Sequence, residues 1–278
     1  MKILRAFCIA LSMYSRIPVP HFEWKEEDMK YPIVFFPFVG VIVSILQMLF
    51  FRYFKSWELP LITSAVIMCI IPFAVAGWIH MDGYMDTEDA LASGKDREGM
   101  LQIMKDAHTG AKAVISMIIY CAILFAAVYT MLFAASERPA SLILFNGISE
   151  PVNNKKIPLV WGLGFILSRV MSAMAAVSFE CADKKGTLYR FSGKGKKDTS
   201  GICRCILIIW LAVTVAFMLN EDLMAGSVIV LVMLLIFIHY WAFTKKRFGG
   251  ITGDTAGWFL CRAELWMSVT AAFIAVIR

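Results

Sequence analysis

The chain has 278 residues and a formal net charge of +6; 59% of it is hydrophobic, 17% is charged, and its mean hydropathy is +0.70. Soluble globular domains carry about 25% charged and about 45–50% apolar residues, so water is excluded as the solvent of most of this surface. A nucleic-acid binder, which needs a basic face on a soluble fold, is excluded too, because the positive charge lies in short connections between apolar runs.

Residues 1–13 place Lys2 and Arg5 ahead of a short apolar run. No small-residue cleavage pattern follows, so the stretch reads as a retained short helix rather than a signal peptide, ending before Arg16-Ile17-Pro18. Seven apolar segments then reach, or nearly reach, the roughly 20 helical residues that cross a hydrocarbon core. They cover residues 33–51, 59–79, 113–135, 158–179, 202–219, 223–243 and 258–277. Only helices or closed barrels satisfy the backbone in lipid, and these runs are too long and too uniform for barrel strands. The predicted fold is all-α: a polytopic integral membrane bundle of about seven transmembrane helices plus a short N-terminal helix, forming one domain over 1–278.

Lys and Arg divide unevenly between the two sides of such a bundle, seventeen against six. The richer side is expected to be cytoplasmic. It holds the acidic stretch after the second span, the lysines of 184–197 and the glycine-rich segment before the last span. Segment 136–156 reads as an external loop. The seven cysteines lie mostly in apolar runs without C-x-x-C spacing, so neither a zinc site nor a disulfide framework is supported.

The second span runs directly into His80-Met81-Asp82-Gly83-Tyr84-Met85-Asp86-Thr87-Glu88-Asp89. On a helix, Asp86 sits about 40° from Asp82, and Asp89 about 20° to its other side. Spacing i, i+4, i+7 thus stacks three carboxylates on one face, with Glu88 on another. Like charges so placed repel, and a cation is needed to offset them. Mg²⁺ fits, because it takes one or two carboxylates plus substrate phosphates and water. Gly83 leaves room for a bulky group to approach. Asp106 supplies a fourth carboxylate from the next segment, expected to face the row across a turn at Gly94, and Lys105 beside it can meet phosphate as a point charge. His80 and His108 are open to two readings, base or ligand on one hand and plain hydrogen-bonding neighbour on the other. Arg169, mid-span, is either functional or ion-paired to a buried carboxylate. Asp254 stands in a glycine-rich segment, 249–257, whose amides could wrap phosphate. Arg262 and Glu264 read as snorkelling or paired, and His239 as a core histidine.

These blocks resemble the cobalamin synthase family, the adenosylcobinamide-GDP ribazoletransferases. The resemblance is carried by His80-x-Asp82-Gly83-x-x-Asp86-Thr87-x-Asp89, by Met104-Lys105-Asp106 with Gly110, by Ser15-Arg16-Ile17-Pro18-Val19-Pro20, by Ser168-Arg169, and by Gly249-Gly250-Ile251-Thr252-Gly253-Asp254-Thr255-x-Gly257. They run in order over nearly the whole chain; Ala90, His108 and Lys112 depart from the pattern. The resemblance implies a Mg²⁺-dependent phosphotransfer at the bacterial inner membrane. The 5′-hydroxyl of α-ribazole, or of its 5′-phosphate, attacks the cobinamide-side phosphorus of adenosylcobinamide-GDP, and GMP leaves. Asp82, Asp86, Asp89 and Asp106 are the expected metal ligands; Asp82, Asp106 and His80 the catalytic candidates, with Asp106 as base; Arg16, Lys105, Arg169 and Asp254 the substrate-binding ones. The partners expected are those small molecules and the lipid bilayer, with oligomeric state left open. Two rivals stand beside this reading. A CDP-alcohol phosphotransferase would add an Ala-Arg pair and a longer aspartate spacing; a cation transporter would place its acids near the bilayer midplane on broken helices.

Overall fold

The computed structural model describes residues 2–20, 28, 31–54, 56–136, 156–183, 188–189 and 197–278. Among these, regular structure is helical apart from one isolated parallel bridge, Cys181 to Ile251. Helix α1 is Lys2–Tyr14; a 3₁₀ turn, Pro32–Phe35, leads into α2, Phe36–Tyr53. Then come α3 (Leu61–Ala76), α4 (Ile79–Ala92), α5 (Arg97–Ile103), α6 (Ala111–Ser136) and α7 (Ile157–Ser178). The last three are α8 (Lys197–Glu221), α9 (Leu223–Arg247) and α10 (Gly253–Ile277). Most of segment 136–156, expected to be an external loop, and of the lysine-rich stretch 184–197 falls outside the described residues, as do Lys25 and Lys30.

Among the described residues, six helices are long and apolar enough to cross a bilayer, and a seventh crossing results if α3 and α4 count as one broken span. The chain is a multi-pass helical membrane bundle. The expected second span, 59–79, stops at Ala76, and α4 leaves at 91° to α3. Two consecutive left-handed residues make that bend, Gly77 at φ 67° and Trp78 at φ 68°. The Trp78 amide donates to the Phe73 carbonyl at 3.1 Å, closing the end of α3 as a helix-stop turn does. A tryptophan adopts this backbone only where its surroundings enforce it; here its ring stacks on Phe73, centroids 5.4 Å apart and planes within 5°. With that turn α4 departs from the direction of α3 and carries the acids with it.

Helices α7 and α10 form the centre. The spanning stretch of α7 is 83% buried, against 22% and 28% for α8 and α9, which therefore face lipid. Exposed Ile208, Ile209, Phe217 and Leu235 on those two helices are solvated by acyl chains rather than by water. In lipid, helices associate through close packing of small residues, and α2 meets α7 in that way. A Cβ on Gly40 would lie 2.5 Å from the Phe165 carbonyl oxygen.

Arg169 is fully buried in α7, where its Nη1 pairs with the Glu264 carboxylate of α10 and donates to Ser168 Oγ at 2.9 Å. A guanidinium in mid-span needs a counter-charge, and Glu264, the neighbouring central helix's acid, provides it. Of the two readings offered for Arg169, the geometry favours the ion pair. It is enclosed within the core and pairs two central helices.

Candidate active site

Interhelical glycines bring the two acid-bearing motifs together. A Cβ on Gly83 of α4 would lie 2.8 Å from Asp254 Cα, and one on Gly257 of α10 would lie 2.9 Å from the His80 carbonyl oxygen. Each motif's glycine thus accommodates the other motif's backbone, and α4 lies directly against the first turns of α10. Asp254 consequently joins the row of α4: the charges acting on Asp86 are, in order, those of Asp82, Asp254 and Asp89. Burial and these like charges push the Asp86 carboxyl up to about 6. Asp82 is exposed, and Asp86 and Asp254 are half-buried.

Asp89 shares the face but is engaged elsewhere. Its two carboxylate oxygens accept the backbone N–H groups of Gly110 and Ala113, the latter at 2.8 Å. Helix α6 has no capping side chain of its own at Gly110, and Asp89 supplies one from across the turn. Glu88 points elsewhere, as the helical spacing predicts, accepting from Trp258 Nε1 at 2.9 Å and Ser116 Oγ at 3.3 Å.

Asp106 is not brought into the row. It lies exposed beyond the end of α5, where its Oδ1 accepts from the His108 amide at 3.0 Å and faces His108 Nδ1 at 2.7 Å. Those bonds hold its carboxyl below the ordinary aspartate range, and no acid of the row contributes to that shift. The expectation that α5 would turn Asp106 toward the row is therefore corrected: the helix ends at Ile103, before this residue. Lys105 does reach the neighbourhood. It pairs with Asp183 at 3.1 Å, and its charge acts on Asp254. Exposed Arg16 lies over the α3–α4 bend, its side chain filling the space a Cβ on Gly77 would need and its amide donating to the Val75 carbonyl at 2.9 Å.

Part of the glycine-rich segment is engaged by the fold itself. The Ile251 amide donates to Glu180 at 2.8 Å, the Gly250 amide to Thr244 at 3.2 Å, and Thr252 and Thr255 cap α10 reciprocally. These amides serve the fold. Gly249, at φ 78°, supplies the left-handed turn.

Beside the acids lies a cavity of about 300 Å³ between α1, α2, α4, α7 and α10. Tyr14, Phe36 and Leu260 are among its apolar walls, while Asp82, Asp254 and His80 bring polar atoms to it. His80 Nε2 is buried with no hydrogen-bond partner among the described residues.

The model of the cobalamin-5-phosphate synthase family matches residues 6–272. The chain belongs to that family. Among its relatives, the adenosylcobinamide-GDP ribazoletransferase of Lachnoclostridium phytofermentans is 35% identical over 99% of this chain and 95% of its own. The enzyme of the same description from Clostridium perfringens strain SM101 is 32% identical over 95% and 96%. That from Fusobacterium nucleatum is 26% identical over 91% and 92%. No solved structure matches. The chain is accordingly a transferase of cobalamin biosynthesis built as a membrane bundle, which sets aside the lipid phosphotransferase and transporter rivals.

Three features of this site are missing from the sequence reading. They are the reciprocal glycine contacts, the trans-helix cap made by Asp89, and the cavity of α1, α2 and α7 residues beside the row. Only the cap leaves a local trace, since α6 begins after a glycine with no acid in its first turn.

Proposed function

We propose that the chain transfers the adenosylcobinamide phosphoryl group from adenosylcobinamide-GDP to the 5′-hydroxyl of α-ribazole or its 5′-phosphate, in a Mg²⁺-dependent reaction. The hydroxyl oxygen forms a bond to the cobinamide-side phosphorus, the bond from that phosphorus to the bridging oxygen breaks, and GMP leaves with it. The observation that carries this reading is the contact of Gly83 with Asp254, which sets the acids of α4 against the start of α10 at the mouth of an apolar cavity.

The donors suit a substrate-shared ion. Among the described residues, no three His, Cys, Asp or Glu side chains converge closely enough to cage a metal by themselves. Mg²⁺ needs no such cage when phosphate oxygens and water complete its shell. Asp82 and Asp86, one turn apart, are the carboxylates to hold it; Asp89, with both oxygens on amides, supports the row through its charge. When bound, the ion supplies neutralisation of the diphosphate oxygens and of the departing GMP. Displacement at phosphorus needs such neutralisation and in-line positioning above all.

The chain's own residues do the remaining work. Asp254 faces the row from the opposite helix and lines the cavity, so it takes the attacking hydroxyl's proton. Lys105 and Arg16 stand at the rim to meet phosphate oxygens as cations. The excess of Lys and Arg on the acid-bearing side gives a bacterial inner-membrane protein with this site facing the cytoplasm.

The test is product analysis with purified protein, adenosylcobinamide-GDP, α-ribazole and Mg²⁺. GMP and a corrinoid carrying the acceptor are expected in equal amounts. GMP formed without a coupled corrinoid, by hydrolysis, would overturn the transfer. Asp254→Asn should lower kcat by about 10²-fold or more, the usual loss for a general base, while Mg²⁺ binding persists.

A further inference from the structure

The cavity beside the acids has a polar end and an apolar body. Asp82 and Asp254 mark the polar end; Tyr14, Phe36, Ile79, Ala176 and Leu260 supply much of the rest. Its aromatic wall is continuous, with Tyr14 and Phe36 ring centroids 4.4 Å apart and Phe36 standing edge-on to His80 at 5.9 Å. A volume of about 300 Å³ is at the small end for ligand sites. Among the described residues, one polar atom within this region is buried and unsatisfied, His80 Nε2. Buried polar atoms of folded proteins nearly always have a partner, so this one marks the place of a missing polar contact.

These properties separate the components of the two substrates. A corrin macrocycle with its ring of amide side chains is too large for the space. Guanine carries several donors and acceptors along its edge; with Asp82 committed to the ion and Asp254 to the acceptor hydroxyl in the reading above, burying that edge against the aromatic and aliphatic walls is unfavourable. A flat fused-ring base that is apolar except for one ring nitrogen matches both the walls and the single free imidazole atom.

We propose that this cavity is the acceptor's base subsite. The base lies between the Tyr14–Phe36 wall and Leu260, its ring nitrogen accepts from His80 Nε2–H, and its ribose 5′-hydroxyl is directed toward Asp254. His80 is thereby a positioning and recognition residue, and Ala176 and Ala256 set how large a base is admitted. The assignment rests on the transfer reading above for the identity of the acceptor, but the binding it describes needs neither metal nor turnover.

Calorimetric titration of purified wild-type protein with α-ribazole alone, in EDTA, should show saturable binding. Ala176→Leu and Ala256→Leu, which fill the cavity from two different helices, should each weaken it by about 10-fold or more, equivalent to a modest loss of contact. His80→Ala should weaken it too, with His80→Gln, which keeps an N–H donor, recovering part of the loss. Leucine variants that bind α-ribazole as tightly as wild type overturn the subsite, as does binding of GDP, rather than α-ribazole, that the leucine variants abolish. Failure of the two readings can be told apart. Wild type that binds the acceptor in this manner yet releases no GMP refutes the transfer and leaves the subsite standing. GMP release with unaltered acceptor binding in both leucine variants refutes the subsite and leaves the transfer standing.

Discussion

Partial burial, reinforced by the like charges of Asp82, Asp254 and Asp89, raises the Asp86 carboxyl to about 6. Because its folded-state value is raised above the unfolded 3.8, the protonated carboxyl favours the folded state fully below that unfolded value, and this contribution is lost as pH rises through about 6. Two results follow. Mg²⁺, which needs the ionised form, should raise the melting temperature clearly at pH 7.5 and hardly at pH 5, as read by thermal unfolding in detergent. Activity at limiting Mg²⁺ should fall on acidification through about pH 6, and Asp86→Asn should remove that inflection together with the activity. Asp89 offers a contrast on the same face. Asparagine caps helices as well as aspartate does, whereas alanine lowers stability by about 1 kcal/mol. Asp89→Asn should therefore keep the fold's stability and much of the turnover, and Asp89→Ala should lose stability; turnover lost in Asp89→Asn, at full stability, would make Asp89 a metal ligand. The shared face of Asp82, Asp86 and Asp89 was readable from spacing alone. Their division of labour was not, because the partner of Asp89 lies across a turn at Gly110 and Ala113.

At the scale of elements, the spans were legible because lipid leaves the backbone no alternative to helix, and apolar length marks each crossing. The 91° bend between α3 and α4 was hidden, since it depends on Trp78 taking a left-handed backbone that its residue type disfavours. The site's assembly depends on the contact between α4 and α10. Gly83→Ala and Gly257→Ala should each cost about 1–3 kcal/mol of stability, the range for overpacking, and lower kcat by displacing Asp254 from the row. Their effects should not add, because both act at one interface; a double-mutant cycle in chemical unfolding checks this. The central ion pair behaves in the opposite sense to a surface bridge. Arg169→Ala leaves Glu264 buried and unpaired and should cost about 3–5 kcal/mol, with much of that recovered when Glu264 is also replaced by an apolar residue. A selective rise in substrate KM in Arg169→Ala, with stability unchanged, would instead restore it as a binding residue.

Across the whole molecule, lipid-facing helices surround a buried pair, α7 and α10, and one end of that pair carries the chemistry. Composition revealed the lipid, and motif spacing revealed the acids. The placement of Asp106 was not predictable from the pattern, because α5 stops three residues earlier. The same arrangement suits the proposed transfer: Asp82 on α4 is exposed, while the cavity behind it is largely apolar. The most direct measurement is GMP release from adenosylcobinamide-GDP and α-ribazole by purified wild type and Asp82→Ala, each titrated with Mg²⁺. Turnover in wild type that rises with Mg²⁺ and vanishes in EDTA, with none from a correctly inserted Asp82→Ala, is the predicted result. Turnover that persists in EDTA, or that survives in Asp82→Ala at the wild-type rate, would contradict it.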